Sequence, residues 1–364
     1  MPYFCENCNK WWSLPIKRCI FCGDKTKEIN ETDYEVLGFT KVFVPSEKHQ
    51  KVPYFNYLLE DRNSNKLIIK SFNEYSIGDN INLEYSEKSK KMYTVGIIGS
   101  GQMGMGINEL MLIQGHKTII KTRKTSKDLL SKINEKLSKN STKEQIGTYN
   151  NNLSFTTNLK DLKNCDIVIE AVPEEINLKI EIFSELSNIC VPKTIFATNT
   201  SSISINQISK STDRPDKFVG MHFFNPVHRM DLVEVVTGDH TSNDTKEWAT
   251  NFVRCLNKIP VLVNDSPGFI VNRLLLPQIN DAVLLFEKNI AKKEEIDSSM
   301  KLGLNHPMGP FQLADFIGID VCTSILETMY RDIGDIKFKP ANTLKKMVKN
   351  GKLGMKTGEG FYKY

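Results

Sequence analysis

Apolar residues fall in short runs along this chain, and the pattern of those runs changes character near residues 93 and 266. Tyr34–Thr40, Tyr54–Glu60, Lys66–Lys70 and Ile81–Tyr85 are strand-like, separated by polar turns such as Asp61–Asn65 and Gly78–Asn80. Short strands with Gly and Asn turns predict a small OB-like β-barrel over 33–92. Strand-like runs then recur at Tyr93–Ile98, Thr118–Lys121, Cys165–Glu170, Thr194–Thr198, Phe218–Met221 and Leu232–Val236. Some are apolar throughout, as strands covered on both faces are. A helical pattern, Ile107, Leu110, Met111 and Ile113, follows the first of them. The prediction is an α/β fold with a Rossmann-type doubly wound sheet over 93–265. Pro267-Gly268 reads as a boundary, and the pattern beyond it is helical, so 266–364 is expected to be a C-terminal all-α domain.

Three local patterns carry chemistry. The run ending at Ile98 enters Gly99-Ser100-Gly101-Gln102-Met103-Gly104, which opens a helical pattern. This is the dinucleotide fingerprint in its required context. Gly99 permits the tight turn, Gly101 lets a pyrophosphate approach the backbone, and Gly104 lets the helix pack on the strand. The second strand departs from the usual arrangement. Where an acidic residue grips the adenosine ribose, the chain carries Thr122-Arg123-Lys124. No carboxylate repels a 2′-phosphate there and two cations can receive one, so NADP(H) is expected over NAD(H); a solvated basic turn is the plainer alternative.

The second pattern is His222, at the end of the apolar run Phe218–Met221, with Glu234 on the next run. The histidine would leave its strand at the carboxyl end of the sheet, where doubly wound folds bind ligands. An acid that folds back against it gives an acid/base with an orienting partner. Asn199-Thr200-Ser201-Ser202 ends another strand at the same edge, although either serine could simply cap the following helix.

The third pattern is Cys5-x-x-Cys8 and Cys19-x-x-Cys22, separated by ten residues. Two such knuckles place four thiolates around one structural zinc ion, predicting a zinc ribbon over 1–32 whose folding energy comes from the metal. Cys165, Cys190, Cys255 and Cys322 stand singly in apolar surroundings and read as buried hydrophobes in a reducing compartment.

Composition narrows the class without naming it. Over 364 residues, 40% are hydrophobic and 25% charged, which is globular rather than disordered. No apolar run approaches the roughly 18–20 residues of a membrane span. The start, Met1-Pro2-Tyr3-Phe4-Cys5, lacks the basic and apolar regions of a signal peptide, so a cytoplasmic protein with no membrane partner is expected. A net charge of +5 suits a polyanionic ligand such as a nucleotide or coenzyme A, and suits a lysine-rich surface equally.

The order and spacing of seven motifs give a family resemblance. They are Gly99-Ser-Gly-Gln-Met-Gly104, Glu170-Ala-Val-Pro-Glu174, Asn199-Thr-Ser-Ser202, His222-Phe-Phe-Asn-Pro226, Asp265-Ser-Pro-Gly-Phe-Ile-Val-Asn-Arg273, His306-Pro-Met-Gly-Pro-Phe311 and Gly354-Met-Lys-Thr-Gly-Glu-Gly-Phe-Tyr362. With them, residues 93–364 resemble the 3-hydroxyacyl-CoA dehydrogenase family, including 3-hydroxybutyryl-CoA dehydrogenases. The resemblance implies that His222 is the acid/base, Glu234 its partner, and Ser201 and Asn272 the rest of the substrate site. It implies cofactor contacts at Gly99, Gly101, Gln102, Met103, Gly104 and Asn199, with Glu174, Lys179, Asn225 and Lys356 toward the nicotinamide half. It further implies an acyl-CoA substrate of (S) configuration and a homodimer. Apolar positions over 266–364, among them Leu274, Leu275, Leu284, Leu285, Phe311, Leu313 and Phe316, exceed what one layer of helices needs.

Residues 126–152 look shorter than the family's helical arm over CoA; Leu129, Leu130, Ile133 and Leu137 keep helical spacing before the pattern dissolves at Asn150-Asn151-Asn152. The segment before residue 93 is similar to ribbon–OB proteins associated with acyl-CoA enzymes (the DUF35 type). That similarity implies a thiolase-type partner held through 1–92, with a stabilising appendage as the simpler role. Two further readings compete. A related β-hydroxyacid dehydrogenase would need a lysine acid/base, a role that His222 and Glu234 fill here. An inactive dehydrogenase body on a nucleic-acid-binding or scaffolding ribbon–OB protein would use Tyr54, Phe55 and Tyr57 as a stacking platform. Alternating core positions explain those rings more simply, so nucleic acid is not an expected partner.

Overall fold

The structure is a computed structural model and describes residues 3–5, 7, 10–12, 22, 24–28, 31–42, 54–61, 66–71, 73–84, 91–123, 127–138 and 141–364. Its contacts divide the chain into two units, Met1–Lys91 and Met92–Tyr364.

In the first unit β1 (Tyr3–Cys5), β2 (Lys10–Trp12) and β3 (Lys27–Glu28) pair in the order β2-β1-β3. A second, antiparallel sheet holds β4 (Glu31–Val42), β5 (Tyr54–Asp61), β6 (Lys66–Ser71) and β7 (Asn80–Glu84), in the order β6-β5-β4-β7. Among the described residues this sheet is open, with β6 and β7 at its edges, and does not close into the expected barrel. Alternate residues of β4 and β5 make its core: Tyr34, Val36, Phe55, Tyr57 and Leu59 are buried. Phe55 and Tyr57 therefore stack inside, with ring centroids 5.6 Å apart, and do not form an exposed platform. Cys8 and Cys19 lie outside the described residues.

The second unit carries β8 (Thr94–Ile98), β9 (Lys117–Lys121), β10 (Leu153–Thr156), β11 (Ile167–Glu170), β12 (Ile195–Thr198), β13 (Phe218–Phe223), β14 (Leu232–Thr237) and β15 (Ile259–Asn264). They form one eight-stranded sheet, β10-β9-β8-β11-β12-β13-β14-β15. Every neighbouring pair is parallel except β13 and β14, so β14 and β15 run against the other strands. Helices cover both faces: α1 (Gln102–Ile113), α2 (Lys127–Ser138), α3 (Lys143–Asn151), α4 (Ile176–Ile189), α5 (Ile205–Ser209) and α6 (Asn243–Cys255). One face packs Ile97, Ile169, Met221 and Val235 with Ile107, Met111 and Phe252; the other packs Val168, Phe196 and Phe218 with Phe183, Leu186 and Ile208. Burial on both faces explains why these strands read as unbroken apolar runs.

The elements α3, β10 and β15 depart from the sequence reading. The pattern does not dissolve at Asn150-Asn151-Asn152: α3 runs to Asn151 and β10 starts at Leu153. Thr142 and Gln145 form a capping box that starts α3, a polar helix with no apolar stripe to announce it. Pro260 hides β15, an edge strand where a missing N–H is tolerated.

Beyond Gly268 the chain is helical: α7 (Val271–Glu287), α8 (Lys293–Leu304), α9 (Pro310–Ile317), α10 (Ile319–Ile333) and α11 (Asn342–Lys349). Their own core includes Leu276, Val283, Phe311, Leu326, Met329 and Phe338. Asp315 ties down the tail, accepting from the backbone N–H groups of Phe361 and Tyr362 at 2.8 Å and from the Tyr364 hydroxyl at 3.0 Å. No described helix is long and apolar enough to cross a membrane.

Candidate active site

A cleft of about 940 Å³ opens at the carboxyl edge of the sheet, against α10. Gly99 (φ +113°) turns out of β8, and a Cβ there would press into the Ala171 carbonyl. A Cβ on Gly104 would strike the Gly99 carbonyl, so α1 approaches β8 only as glycine permits. A Cβ on Gly101 would meet no atom within 4 Å, and Gly101 lines the cleft. The N-terminus of α1 has neither a side-chain cap nor an acidic residue in its first turn, so its free amides and positive dipole end suit an anion. Ser100, Gln102 and Met103 line the same cleft. These residues fit a dinucleotide.

At the adenosine end, Thr122 is buried with its N–H on the Thr156 carbonyl at 2.9 Å, while Arg123 is exposed and lines the cleft beside Lys121. Lys124 lies outside the described residues. The helical domain contributes Asp320, Val321, Ser324 and Ile325 of α10 to the opposite wall. Sequence reasoning missed these four. Their only signal was a repeat of one and four along a helix, which core packing explains as well.

His222 and Glu234 are direct partners in the antiparallel β13–β14 ladder. Directly opposed residues project on the same side, which is why twelve intervening residues bring these two together. His222 Nδ1 lies 2.7 Å from Glu234 Oε2, and both residues are buried. The other carboxylate oxygen, Oε1, accepts the backbone N–H groups of Ile270 and Val271, each at 3.0 Å, at the start of α7. Gly268 (φ +77°) and Phe269 (φ +50°) make the turn that delivers those amides. A left-handed phenylalanine is a strained conformation held by its surroundings; here the ring is buried 5.7 Å from the His222 ring. Burial works to raise the Glu234 pKa, but the His222 hydrogen bond and the Val271 amide outweigh it and leave it lowered. Glu234 is thus an ionised acceptor at neutral pH, Nδ1 carries the proton it accepts, and Nε2 is the nitrogen left for a reacting oxygen.

The β12 end is tied to this pair. The Phe223 N–H donates to Asn199 Oδ1 at 2.9 Å, and Asn272 Nδ2 donates to the Ser201 carbonyl at 3.2 Å. Asn225 Oδ1 accepts from Gln102 Nε2 at 3.2 Å, joining the glycine-rich turn to the His222 loop. Neither Ser201 nor Ser202 caps α5; Ser204 does, accepting from the Gln207 N–H at 3.3 Å. Glu174 Oε1 accepts from the Thr200 hydroxyl at 2.6 Å and from the Ser201 and Ser202 N–H groups at 2.8 and 3.1 Å. Burial acts to raise the Glu174 pKa, but the Lys179 charge and the bonds from Thr200 and Ser201 leave it lowered.

Lys179 and Lys356, two of the expected cofactor contacts, are engaged in ion pairs in this structure. Lys179 is not on the cleft wall: its ammonium is buried between Glu170, at 2.7 and 2.9 Å, and Glu174, at 3.2 Å. Lys356 pairs with Asp320, its Nζ 2.6 Å from Oδ2, at the helical rim of the cleft. Of the four ribbon cysteines, Cys5 and Cys22 are described, and their sulfurs lie 3.4 Å apart. Among the described residues no group of three or more His, Cys, Asp or Glu side chains is arranged to hold a metal.

The comparisons with known proteins agree with this geometry. The family model described as 3-hydroxyacyl-CoA dehydrogenase, NAD binding domain, matches residues 94–266, and the one described as 3-hydroxyacyl-CoA dehydrogenase, C-terminal domain, matches 268–364. Fold and site together define a nicotinamide-dependent oxidoreductase. A 3-hydroxybutyryl-CoA dehydrogenase of Clostridioides difficile is 45% identical over 282 residues, covering 74% of this chain and 99% of the relative. The human mitochondrial hydroxyacyl-coenzyme A dehydrogenase is 39% identical, covering 77% of this chain and 94% of the relative. The crystal structure of (S)-3-hydroxybutyryl-CoA dehydrogenase from Ralstonia eutropha superposes with a TM-score of 0.72 at 39% identity, over 75% of this chain and 99% of that one. The chain belongs to the 3-hydroxyacyl-CoA dehydrogenase family.

Proposed function

We propose that the protein interconverts (S)-3-hydroxyacyl-CoA, with 3-hydroxybutyryl-CoA as the favoured substrate, and 3-oxoacyl-CoA. The observation that carries this reading is the His222–Glu234 pair, 2.7 Å apart and tied through the Phe223 N–H to Asn199 on the wall of a cleft that fits a dinucleotide. In oxidation, His222 Nε2 takes the proton of the 3-hydroxyl as hydride leaves C3. Glu234 holds Nδ1–H and stabilises the imidazolium that forms. Ser201 and Asn272 donate hydrogen bonds to the reacting oxygens. In reduction His222 returns the proton to the forming alkoxide. A bound nicotinamide supplies the hydride acceptor or donor. Initial rates of acetoacetyl-CoA reduction, with the configuration of the product determined, test the reading. Absence of (S)-3-hydroxybutyryl-CoA would rule it out.

Lys121 and Arg123 on the cleft wall support NADP(H) over NAD(H), with Lys124 as a third cation from the sequence. Rates with NADPH and NADH at equal concentration decide between them. The close sulfurs of Cys5 and Cys22 support a structural zinc completed by Cys8 and Cys19, testable as one zinc ion per chain by elemental analysis. Leu274 and Phe316, exposed at 71% and 43%, support a homodimer through the helical domain, which light scattering measures. The ribbon-like cysteine spacing supports a thiolase-type partner for residues 1–92, testable by co-purification with a purified thiolase.

A further inference from the structure

Asp265 follows β15 and opens the turn into α7, and one of its oxygens reaches across to the segment that carries Ser201. Its backbone N–H donates to the carbonyl of Thr237, the last residue of β14, at 2.9 Å. Oδ2 accepts from the Ser204 hydroxyl at 2.6 Å and from the Asn206 N–H at 2.9 Å, both at the start of α5. Asn206 returns the tie: its Oδ1 accepts the Asp239 N–H at 2.7 Å, just past β14. Gly238 permits that approach, since a Cβ there would stand 2.7 Å from the same oxygen. With five residues, α5 is too short to hold its place by its own hydrogen bonds. Asp265 is what moors it to the end of the β14–β15 pair.

Two segments of the site meet here. One runs from Ser201 to Ser204. The other runs from Asp265 to Asn272 and includes the Ile270 and Val271 amides that hold Glu234. Asn272 Nδ2 donates to the Ser201 carbonyl at 3.2 Å, so Ser204–Asp265 and Ser201–Asn272 are two rungs between the same two segments. One rung fixes a distance and leaves a hinge; two rungs fix an orientation. The Asp265 rung is the charge-assisted one, the stronger kind of hydrogen bond. We infer that Asp265 is a positioning residue for the substrate side of the site: it holds the Ser201 segment against the turn into α7, so that Ser201, Asn272 and the His222–Glu234 pair keep one geometry toward the reacting oxygen. This rests on the reading of Ser201 and Asn272 as donors to that oxygen. The other Asp265 oxygen, Oδ1, is buried and makes no hydrogen bond among the described residues. The site therefore uses one acceptor, at Oδ2, and an amide oxygen in its place can supply one.

The test uses full-length Asp265→Ala, Asp265→Asn and Ser204→Ala proteins. Asp265→Ala removes the acceptor, Ser204→Ala removes one of its two donors, and Asp265→Asn keeps an acceptor oxygen without the charge. Competent sites are counted by fluorescence titration with reduced cofactor, so that rates are expressed per folded site. A misplacement of about 1 Å can cost a reacting geometry about 100-fold. The expected result for Asp265→Ala is a fall of about tenfold or more in kcat for acetoacetyl-CoA reduction, with KM and the cofactor dissociation constant each within about threefold of wild type. Ser204→Ala moves in the same direction by less, and Asp265→Asn recovers kcat to within about threefold of wild type. A merely structural aspartate would lower the number of competent sites and leave their kcat unchanged, and that result would overturn the inference. So would a loss in Asp265→Asn as large as in Asp265→Ala, since the site would then need the charge and not the acceptor. If Asp265→Ala does not fold, a normal kcat in Ser204→Ala overturns it instead. Ser201→Ala and Asn272→Ala are measured alongside. If both are silent, the substrate-side reading fails and takes the inference with it; if they are impaired and Asp265→Ala is not, only the positioning role fails.

Discussion

Two glutamates mark the two sides of the carboxyl edge of the sheet, and their partners differ in kind. Glu234 on β14 is wholly enclosed and bonded to His222, the proposed acid/base, a side chain that can change charge near neutral pH. Glu174, with a side chain 33% exposed, is bonded to Lys179, a permanent cation. Both carboxyls are held below their usual range, and for each burial is the largest opposing influence. The His222 hydrogen bond and the two α7 amides together hold the Glu234 carboxyl low against burial, so it is suited to steady an imidazolium. The Lys179 side offers no such change of state: its ammonium bonds one oxygen of Glu174, whose other oxygen accepts from Thr200, Ser201 and Ser202. On the proposed reading, Glu234 assists proton movement; the difference between the two carboxylates lies in the charge behaviour of their partners.

That contrast can be broken by mutation. Lys179→Met strands Glu170, which is fully buried, beside a second carboxylate. Unfolding in urea should show a loss of about 3–5 kcal/mol. A loss below about 1 kcal/mol would mean that the lysine side is not held by charge, since exposed pairs are worth no more than that. Glu234→Gln should invert the pattern, costing turnover about 10- to 100-fold while stability changes by about 1–3 kcal/mol. If instead the variant merely unfolds, Glu234 is a structural acid. The pH dependence has a definite sign. A lowered folded-state pKa gives stability that is full above the unfolded value, about 4.3, and is lost as pH falls through the folded value. Denaturation midpoints in acid should therefore fall less steeply for Glu234→Gln than for wild type.

Smaller effects sharpen the remaining contrasts. Arg123→Ala should weaken NADPH about tenfold, roughly 1.4 kcal/mol, and leave NADH nearly unchanged. Equal weakening of both would return Arg123 to the role of a solvated turn residue. Removal of residues 1–91 should leave kcat for acetoacetyl-CoA within about threefold, because the family models begin at residue 94 and the Clostridioides relative is matched over 99% of its length. A folded, inactive remainder would place part of the site in the first unit.

Much of this site was legible because it depends on strand ends. The glycine turn after Ile98, His222 at the end of β13 and Asn199 after β12 all follow from where apolar runs stop. Glu234 was legible because a ladder register pairs positions across a return of the chain. The ion pairs of Lys179 were not legible because a lone lysine four positions into a helix carries no mark of burial; only the third dimension shows two carboxylates closing on it. Asp320 and its neighbours on α10 were invisible for a related reason, since helix periodicity shows which face is covered and not what covers it. The polar helix α3 escaped because its signal lies in a cap and not in a stripe.

The His222→Gln protein puts the proton-transfer role to its most direct trial. Enzyme saturated with reduced cofactor is mixed with acetoacetyl-CoA, and the loss of nicotinamide absorbance is followed through one turnover, with cofactor binding titrated separately. The expected result is binding within a few-fold of wild type and a transfer rate lower by at least about 100-fold, the share of a general acid. Near-normal transfer in the variant would remove His222 from the chemistry and leave the pair with Glu234 as a buried structural contact.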